Sequence, residues 1–391
     1  MDRNTVVGVI GAGTMGSGIA QVAAQADHTV HLFDTRKEAV DKAMDGLART
    51  LDKLVEKGKM RKEEAEVIHA RIVPTYELKG LATCGLVIEA IVEDLGIKKK
   101  LFTELEVLVA SNAVLATNTS SLSVTAIAGA CKRPERVIGL HFFNPAPLLP
   151  LVEVVPGLQT DTELASRASA LMMAWGKTPV ICKDTPGFIV NRIARPFYGE
   201  ALRIFEEGLA DMPTIDRAMK EVGGFKMGPF ELMDLIGNDV NFTVTKTVWA
   251  CFFFDPRYRP SVTQQRQVEA GWLGRKTGRG YYRYDGEQAP EPGTNATSEL
   301  LQAIFQRILV MLINEAVDAL HLRVASREDI DRAMTKGVNY PKGLLEWADE
   351  LGLGRCLTEL ERLQQEYGED RYRPSLLLRK MVAEGRTFRQ P

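Results

Sequence analysis

Short apolar runs alternate with amphipathic stretches through the first 180 or so residues. VVGVI (6–10), TVHLF (29–33), GLVIEA (85–90), AVLAT (113–117), RVIGL (136–140), LVEVV (151–155) and TPVIC (178–182) each read as a strand. Between them, residues 14–26 read as a helix, and a longer amphipathic helix spans about 36–57. Strands alternating with helices predict an α/β unit built on a parallel, doubly wound sheet. At DTPGF (184–188) the regime changes, because Pro186 and Gly187 break the chain. An apolar helical pattern, IVNRIARPFYGEALRIFEEG, then opens a segment that reads as almost entirely helical.

The helical part contains a repeat. NRIARPFYGEAL (191–202) aligns with QRILVMLINEAV (306–317), and TIDRAM (214–219) with DIDRAM (329–334), both at a shift of 115. PRYRPS (256–261) aligns with DRYRPS (370–375) at a shift of 114. Glu200 pairs with Glu315 and Asp234 with Asp349 on the same scheme. A shift held across three stretches points to a duplicated helical domain. The expected organisation is a sheet domain over 1–184 and a helical domain over 185–284. A Gly- and Pro-rich linker over 285–297 and a second helical copy over 298–391 follow.

Composition narrows the class. Hydrophobic residues make up 45% of the 391, ordinary for a globular chain, and the net charge of −2 leaves no excess for nucleic acid or an anionic membrane. No apolar run is expected to be long enough to span a bilayer, and the N-terminus lacks the zones of a signal peptide. The five cysteines are scattered, with no CxxC or CxxH pair. That argues against a disulfide framework or a metal site and for a reducing, cytoplasmic setting.

GAGTMG (11–16) follows the first strand and opens a helix, the context that makes a G-x-G-x-x-G pattern meaningful. Gly11 permits the tight turn, Gly13 lets a pyrophosphate approach, and Gly16 lets helix and strand pack closely. Thr14 and Met15 lie in the same turn. Asp34 ends the second strand, 18 residues beyond Gly16, where a carboxylate accepts bonds from ribose hydroxyls and repels a 2′-phosphate. This favours NAD over NADP on a Rossmann-type sheet, although Arg36 could pair with that phosphate.

Of the five histidines, His141 stands out. It directly follows RVIGL and opens HFFNPAP, a loop carrying Asn144. Ser120 likewise follows a strand, so both sit where ligands bind such sheets. Glu153 is a lone carboxylate in the apolar run LVEVV; it is either buried and partnered, for instance by histidine, or turned to water on an edge strand. Ser120, His141 and Glu153 could also be read as a hydrolase triad, but no G-x-S-x-G surrounds Ser120 and a hydrolase has no use for GAGTMG with Asp34.

GAGTMG, TNTSSL (117–122), HFFNPAP, LVEVV and KDTPGFIVNR, in that order, resemble the L-3-hydroxyacyl-CoA dehydrogenases of fatty-acid oxidation over residues 5–284. The resemblance implies a His141–Glu153 catalytic pair, with Ser120 and Asn191 bonding the substrate oxygen or its surroundings. It implies NAD contacts at Glu93, Lys98, Asn144 and Lys276, and CoA contacts at Lys57 and Thr50. The implied reaction interconverts (S)-3-hydroxyacyl-CoA and 3-ketoacyl-CoA in fatty-acid or aromatic and dicarboxylic acyl-CoA catabolism. The alternative is a related β-hydroxyacid dehydrogenase acting on a free acid. The second helical copy departs from the single-domain enzymes. Gln306 stands at the position of Asn191 and GRKTG has no visible counterpart, so this copy is expected to be structural. It could take the place of a partner's helical domain, making the protein a monomer or a homodimer.

Overall fold

The computed structural model describes residues 4–284 and 296–389, in two compact units that divide between Thr185 and Pro186. Most of the anticipated linker, 285–295, lies outside the described residues.

The first unit carries one eight-stranded sheet in the order β3-β2-β1-β4-β5-β6-β7-β8. The strands are β1 (Val7–Ile10), β2 (Val30–Phe33), β3 (Ile72–Thr75), β4 (Leu86–Glu89), β5 (Val114–Thr117), β6 (Val137–Phe142), β7 (Leu151–Pro156) and β8 (Thr178–Ile181). Its helices are α1 (Thr14–Gln25), α2 (Lys37–Glu56), α3 (Lys62–Ala70), α4 (Leu95–Leu108), α5 (Val124–Ala128) and α6 (Thr162–Ala174). Alternate residues feed two cores. Leu86, Ile88, Val114, Ala116, Ile138 and Leu140 join side chains of α1, α2, α3 and α6. Val87, Leu115 and Val137 join Phe102 and Leu105 of α4 and Ile127 of α5. This is the period-two sorting of a sheet covered on both faces.

The sheet differs from expectation in three places. β7 runs antiparallel to β6, while every other neighbouring pair is parallel. β6 continues through Phe142, so His141 is a ladder residue and not the first residue of a loop. β3 was not anticipated, because Pro74 and the exposed Val73 break up its apolar pattern at the sheet edge.

The second unit is helical: α7 (Val190–Ile193), α8 (Arg195–Glu206), α9 (Met212–Arg217), α10 (Pro229–Ile236), α11 (Asn238–Cys251), α12 (Val262–Glu269), α13 (Ser298–His321), α14 (Arg327–Gly337), α15 (Leu344–Leu351), α16 (Leu353–Tyr367) and α17 (Leu376–Ala383). α10, α11 and α12 recur as α15, α16 and α17 at the shifts read from sequence. The pattern expected to form one helix after DTPGF is split at Ala194, with Pro196 starting α8. The aligned position in α13 is Met311, and α13 runs unbroken for 24 residues. It is also long and apolar enough to cross a membrane, contrary to the expectation from sequence, yet 78% of that stretch is buried inside the unit. It is therefore the central helix of the core.

The two copies share that core and exchange charges across it. Arg192 of the first copy reaches Glu315 of the second at 2.6 Å, and Arg307 of the second reaches Glu200 of the first at 3.1 Å. Tyr258 donates to Glu315 at 2.5 Å, and Tyr372 to Glu200 at 2.9 Å. Arg257 and Arg371 complete the two clusters at 3.5 and 3.6 Å. Each residue and its repeat-mate make the same contact in opposite directions, the signature of an isologous interface enclosed within one chain. Against the cost of burial, Arg192 and Arg257 hold the Glu315 carboxyl below the usual range.

A second device occurs twice. Asp216 accepts the Phe230 and Glu231 N–H groups at 2.8 and 3.0 Å, and Asp331 accepts those of Leu345 and Glu346 at the same distances. Gly228 and Gly343 precede these helix starts. A Cβ on either would fall 2.3 Å from the aspartate.

Two outcomes follow. Glu315→Ala leaves Tyr258 without its acceptor and leaves the buried Arg192 and Arg257 only Asp318 and Asp255 as counter-charges, and should lower unfolding free energy by ~3–5 kcal/mol, read by denaturant titration. Burial pushes the Asp216 carboxyl up to about 7, against the Phe230, Tyr282 and Glu231 donors. The native state therefore holds this proton at a pH where the unfolded chain has lost it, and stability should fall as pH rises from about 4 to 7. Asp216→Asn should flatten that segment of the stability–pH curve.

Candidate active site

The first-unit site is assembled along the carboxyl ends of β1, β4, β5 and β6. Gly11 ends β1 with φ of 102°, and a Cβ on Gly16 would fall 1.7 Å from the Gly11 carbonyl oxygen. These two glycines let α1 start directly against the strand. A Cβ on Gly13 would meet nothing within 4 Å, so the space beside it is open. No side chain caps α1, which leaves the first-turn N–H groups around Thr14 and Met15 for an anion. Asp34 ends β2 with a half-buried carboxylate that accepts the Ala12 N–H and the Arg36 N–H, each at 3.0 Å. Arg36 is exposed, its guanidinium 3.7 Å from Asp34. An open cradle, uncapped donors and a fixed carboxylate fit a dinucleotide.

Farther along the sheet, β4 ends in Glu89, fully buried and not singled out from sequence. Its oxygens accept Thr117 Oγ1 at 2.7 Å and the Ile91 N–H at 2.8 Å, and Lys98 Nζ lies at 2.5 Å. Lys98 also sits 3.2 Å from Glu93. The expected NAD contact Lys98 is thus enclosed, with only 1% of its side chain exposed, because buried Glu89 requires a countercharge. Glu93 accepts Thr119 Oγ1 at 2.6 Å, the Ser120 N–H at 2.9 Å and Ser120 Oγ at 3.3 Å. Burial opposes its charge, but Lys98, Thr119 and Ser120 hold Glu93 below the ordinary carboxylate range. The TNTSSL loop is also tied at its far side, where Asp184 of DTPGF accepts Ser123 Oγ and the Val124 and Thr125 N–H groups. The sequence offered no partner for Asp184.

His141 and Glu153 are directly opposed in the β6–β7 ladder. Nδ1 lies 2.6 Å from Glu153 Oε2, the carboxylate has no exposure, and the ring packs on Phe143 at 4.4 Å between centroids. The edge-strand reading of Glu153 is excluded, since β7 lies between β6 and β8. A carboxylate accepts, so the tautomer with the proton on Nδ1 is the one that donates to Glu153. Asn118 Oδ1 accepts the Phe142 N–H at 2.8 Å and locks β6 to the end of β5. Three strand spacings separate β6 from β1, about 14 Å.

The loop after His141 is held from below by Lys177, also not singled out from sequence. Nearly buried, it donates to the Ala146 and Leu149 carbonyls at 2.5 and 3.1 Å, and burial pushes its pKa down to about 8. A lysine opening the apolar run TPVIC was the available signal. Asn144 is exposed on this loop.

Other expected residues lie elsewhere. Thr50 and Lys57 are exposed at the end of α2, Thr50 bonded to its own helix at Gly46. Asn191 and Lys276 belong to the second unit. Asn191 is on α7 with its carbonyl accepting Arg195 Nε at 2.9 Å, and Lys276 is paired with Asp239 at 2.6 Å.

Known proteins similar to this chain show its family. Residues 6–185 match the family description "3-hydroxyacyl-CoA dehydrogenase, NAD binding domain", and 187–284 and 304–390 match its C-terminal domain. The chain is 41% identical to an Escherichia coli 3-hydroxyadipyl-CoA dehydrogenase over 96% of both chains. It is 44% identical to a probable 3-hydroxybutyryl-CoA dehydrogenase of Deinococcus radiodurans over 71% of this chain and 99% of that one. A crystal structure of 3-hydroxybutyryl-CoA dehydrogenase from E. coli K12 superposes with a TM-score of 0.91 at 40% identity, covering 97% of this chain and 98% of that one. The chain belongs to the 3-hydroxyacyl-CoA dehydrogenases, NAD-dependent oxidoreductases acting on acyl-CoA thioesters.

Proposed function

We propose that His141 is the proton-transferring group of this dehydrogenase and Glu153 its positioning partner. The observation that carries this reading is the buried 2.6 Å contact between them at the carboxyl end of β6. In the oxidative direction His141 Nε2 takes the proton of the substrate 3-hydroxyl. Nδ1–H stays on Glu153, which fixes the ring and balances the imidazolium that forms. Bound NAD would supply the acceptor for the hydride of the same carbon. Ser120, held by Glu93, and Asn191 bond the substrate oxygen or its surroundings and keep it in line. Lys177 supports the loop that follows His141.

Asp34, Thr14, Met15, Gly13 and Asn144 hold the dinucleotide, with Glu93 and Lys276 as further contacts. The role of Lys98 runs through Glu93. The substrate is an (S)-3-hydroxyacyl-CoA. The E. coli relative matching both helical copies supports a dicarboxylic chain of the 3-hydroxyadipyl type, and Thr50 and Lys57 stand as contacts to CoA. The second helical copy is structural. It fills within one chain the place of a partner's helical domain, and a monomer by light scattering is the expected result.

His141→Ala should reduce turnover with a 3-ketoacyl-CoA by ~10²–10⁴-fold while NADH binding, read by fluorescence, persists. Unchanged turnover removes His141 from the mechanism. A panel of 3-ketoacyl-CoA thioesters should show the adipyl-type chain with the highest kcat/KM. Asp34→Ala should narrow the preference for NADH over NADPH, since the carboxylate that repels a 2′-phosphate is gone and Arg36 stays.

A further inference from the structure

The two helical copies share a framework but differ in one carboxylate. In the first copy Ser261 caps α12, accepting the Gln264 N–H at 3.2 Å and donating to Glu206 Oε1 at 2.5 Å. The Thr263 N–H points to the same oxygen at 3.4 Å. Glu206 therefore seats a carboxylate at a helix N-terminus, where unpaired N–H groups and the helix dipole favour negative charge.

In the second copy Ser375 stands at the N-cap of α17 but makes no side-chain cap bond; His321 stands at the position of Glu206 and Arg379 at that of Gln265. Ser375 is 5% exposed, and its hydroxyl is buried without a hydrogen-bond partner. It lines a cavity of about 570 Å³ together with His321, Arg257, Arg373 and Arg379. The one carboxylate in that lining, Asp318, is already bridged by Arg192 at 2.9 Å and Arg257 at 3.2 Å. Arg379 lies 3.2 Å from Glu361 on α16. Loss of the first copy's carboxylate thus coincides with an orphaned hydroxyl, and the added Arg379 is matched by Glu361 at the position of Lys246.

We propose that this cavity binds a phosphate-type oxyanion, which takes the place that the Glu206 carboxylate holds in the first copy. Ser375 Oγ and the first-turn N–H groups of α17 donate to it, and the guanidinium groups of Arg373 and Arg379 match its oxygens. Two sources share this chemistry: free phosphate, and the phosphomonoester of a nucleotide-type molecule.

The test is isothermal titration of the full chain, saturated with NAD so that the glycine turn is filled. Inorganic phosphate and adenosine 3′,5′-bisphosphate serve as separate titrants. The wild type should bind at least one saturably. Binding of phosphate assigns the free ion, and binding of the bisphosphate alone assigns the phosphomonoester. His321→Glu restores the first copy's carboxylate and should weaken that binding at least tenfold while raising Tm in the absence of ligand. Ser375→Ala, which removes only a hydroxyl, should weaken it in a folded protein. No binding by the wild type, or equal binding by both variants, overturns the proposal.

Discussion

The reversal of β7 against β6 is the constraint on which the chemistry of the first unit depends. A parallel neighbour would slant its hydrogen bonds and bring its own carboxyl end beside His141. The antiparallel strand instead runs back from that end and sets Glu153 directly opposite, in a ladder where partners share a face. Leu140, Phe142, Val152 and Val154 turn into the core beneath α1 and α6, so His141 and Glu153 both take the other face. A slip of one residue would drive the imidazole and the carboxylate into that apolar core. Register and chemistry are therefore held by the same apolar packing.

The neighbouring strand ends show how such a site is stiffened without apolar contacts. Glu89, Lys98 and Glu93 form a buried chain of charge that ends on the backbone of the TNTSSL loop. Asp184 fastens the other side of that loop and Lys177 the loop beyond His141. Each of these charges costs desolvation, and each is offset by donors or acceptors on a segment that carries a candidate site residue. What they add is position more than stability.

In the second unit, duplication has produced an interface with itself. Arg192 and Glu315, Arg307 and Glu200, Tyr258 and Tyr372 repeat one contact in both directions around α13. Such reciprocity constrains both copies together, since a change in one leaves a buried charge in the other. Positions outside the shared clusters are released from it. Glu206 and His321 have diverged where Glu200 and Glu315 have not.

The chain's own residues announced the strands, the glycine turn with Asp34, the duplication, and the candidate identities of His141, Glu153 and Ser120, because each rests on local spacing or periodicity. Pro196 was a local signal for the break before α8, but the end of the second copy shows only in tertiary contacts: the Asp349 carboxylate receives the Phe388 and Arg389 N–H groups as Asp234 receives those of Tyr281 and Tyr282, so GRTFR (385–389) stands as the counterpart of GRGYY (278–282). What no local pattern could carry was decided by pairing distant segments: the direction of β7, the burial of Glu89 with Lys98, the hold of Lys177 on a loop some 30 residues away, and the exchange of charges between repeats. A side chain's type and period depend on its neighbours in sequence. Whether a charge is buried, and by what it is neutralised, depends on which segments the fold brings within hydrogen-bond reach.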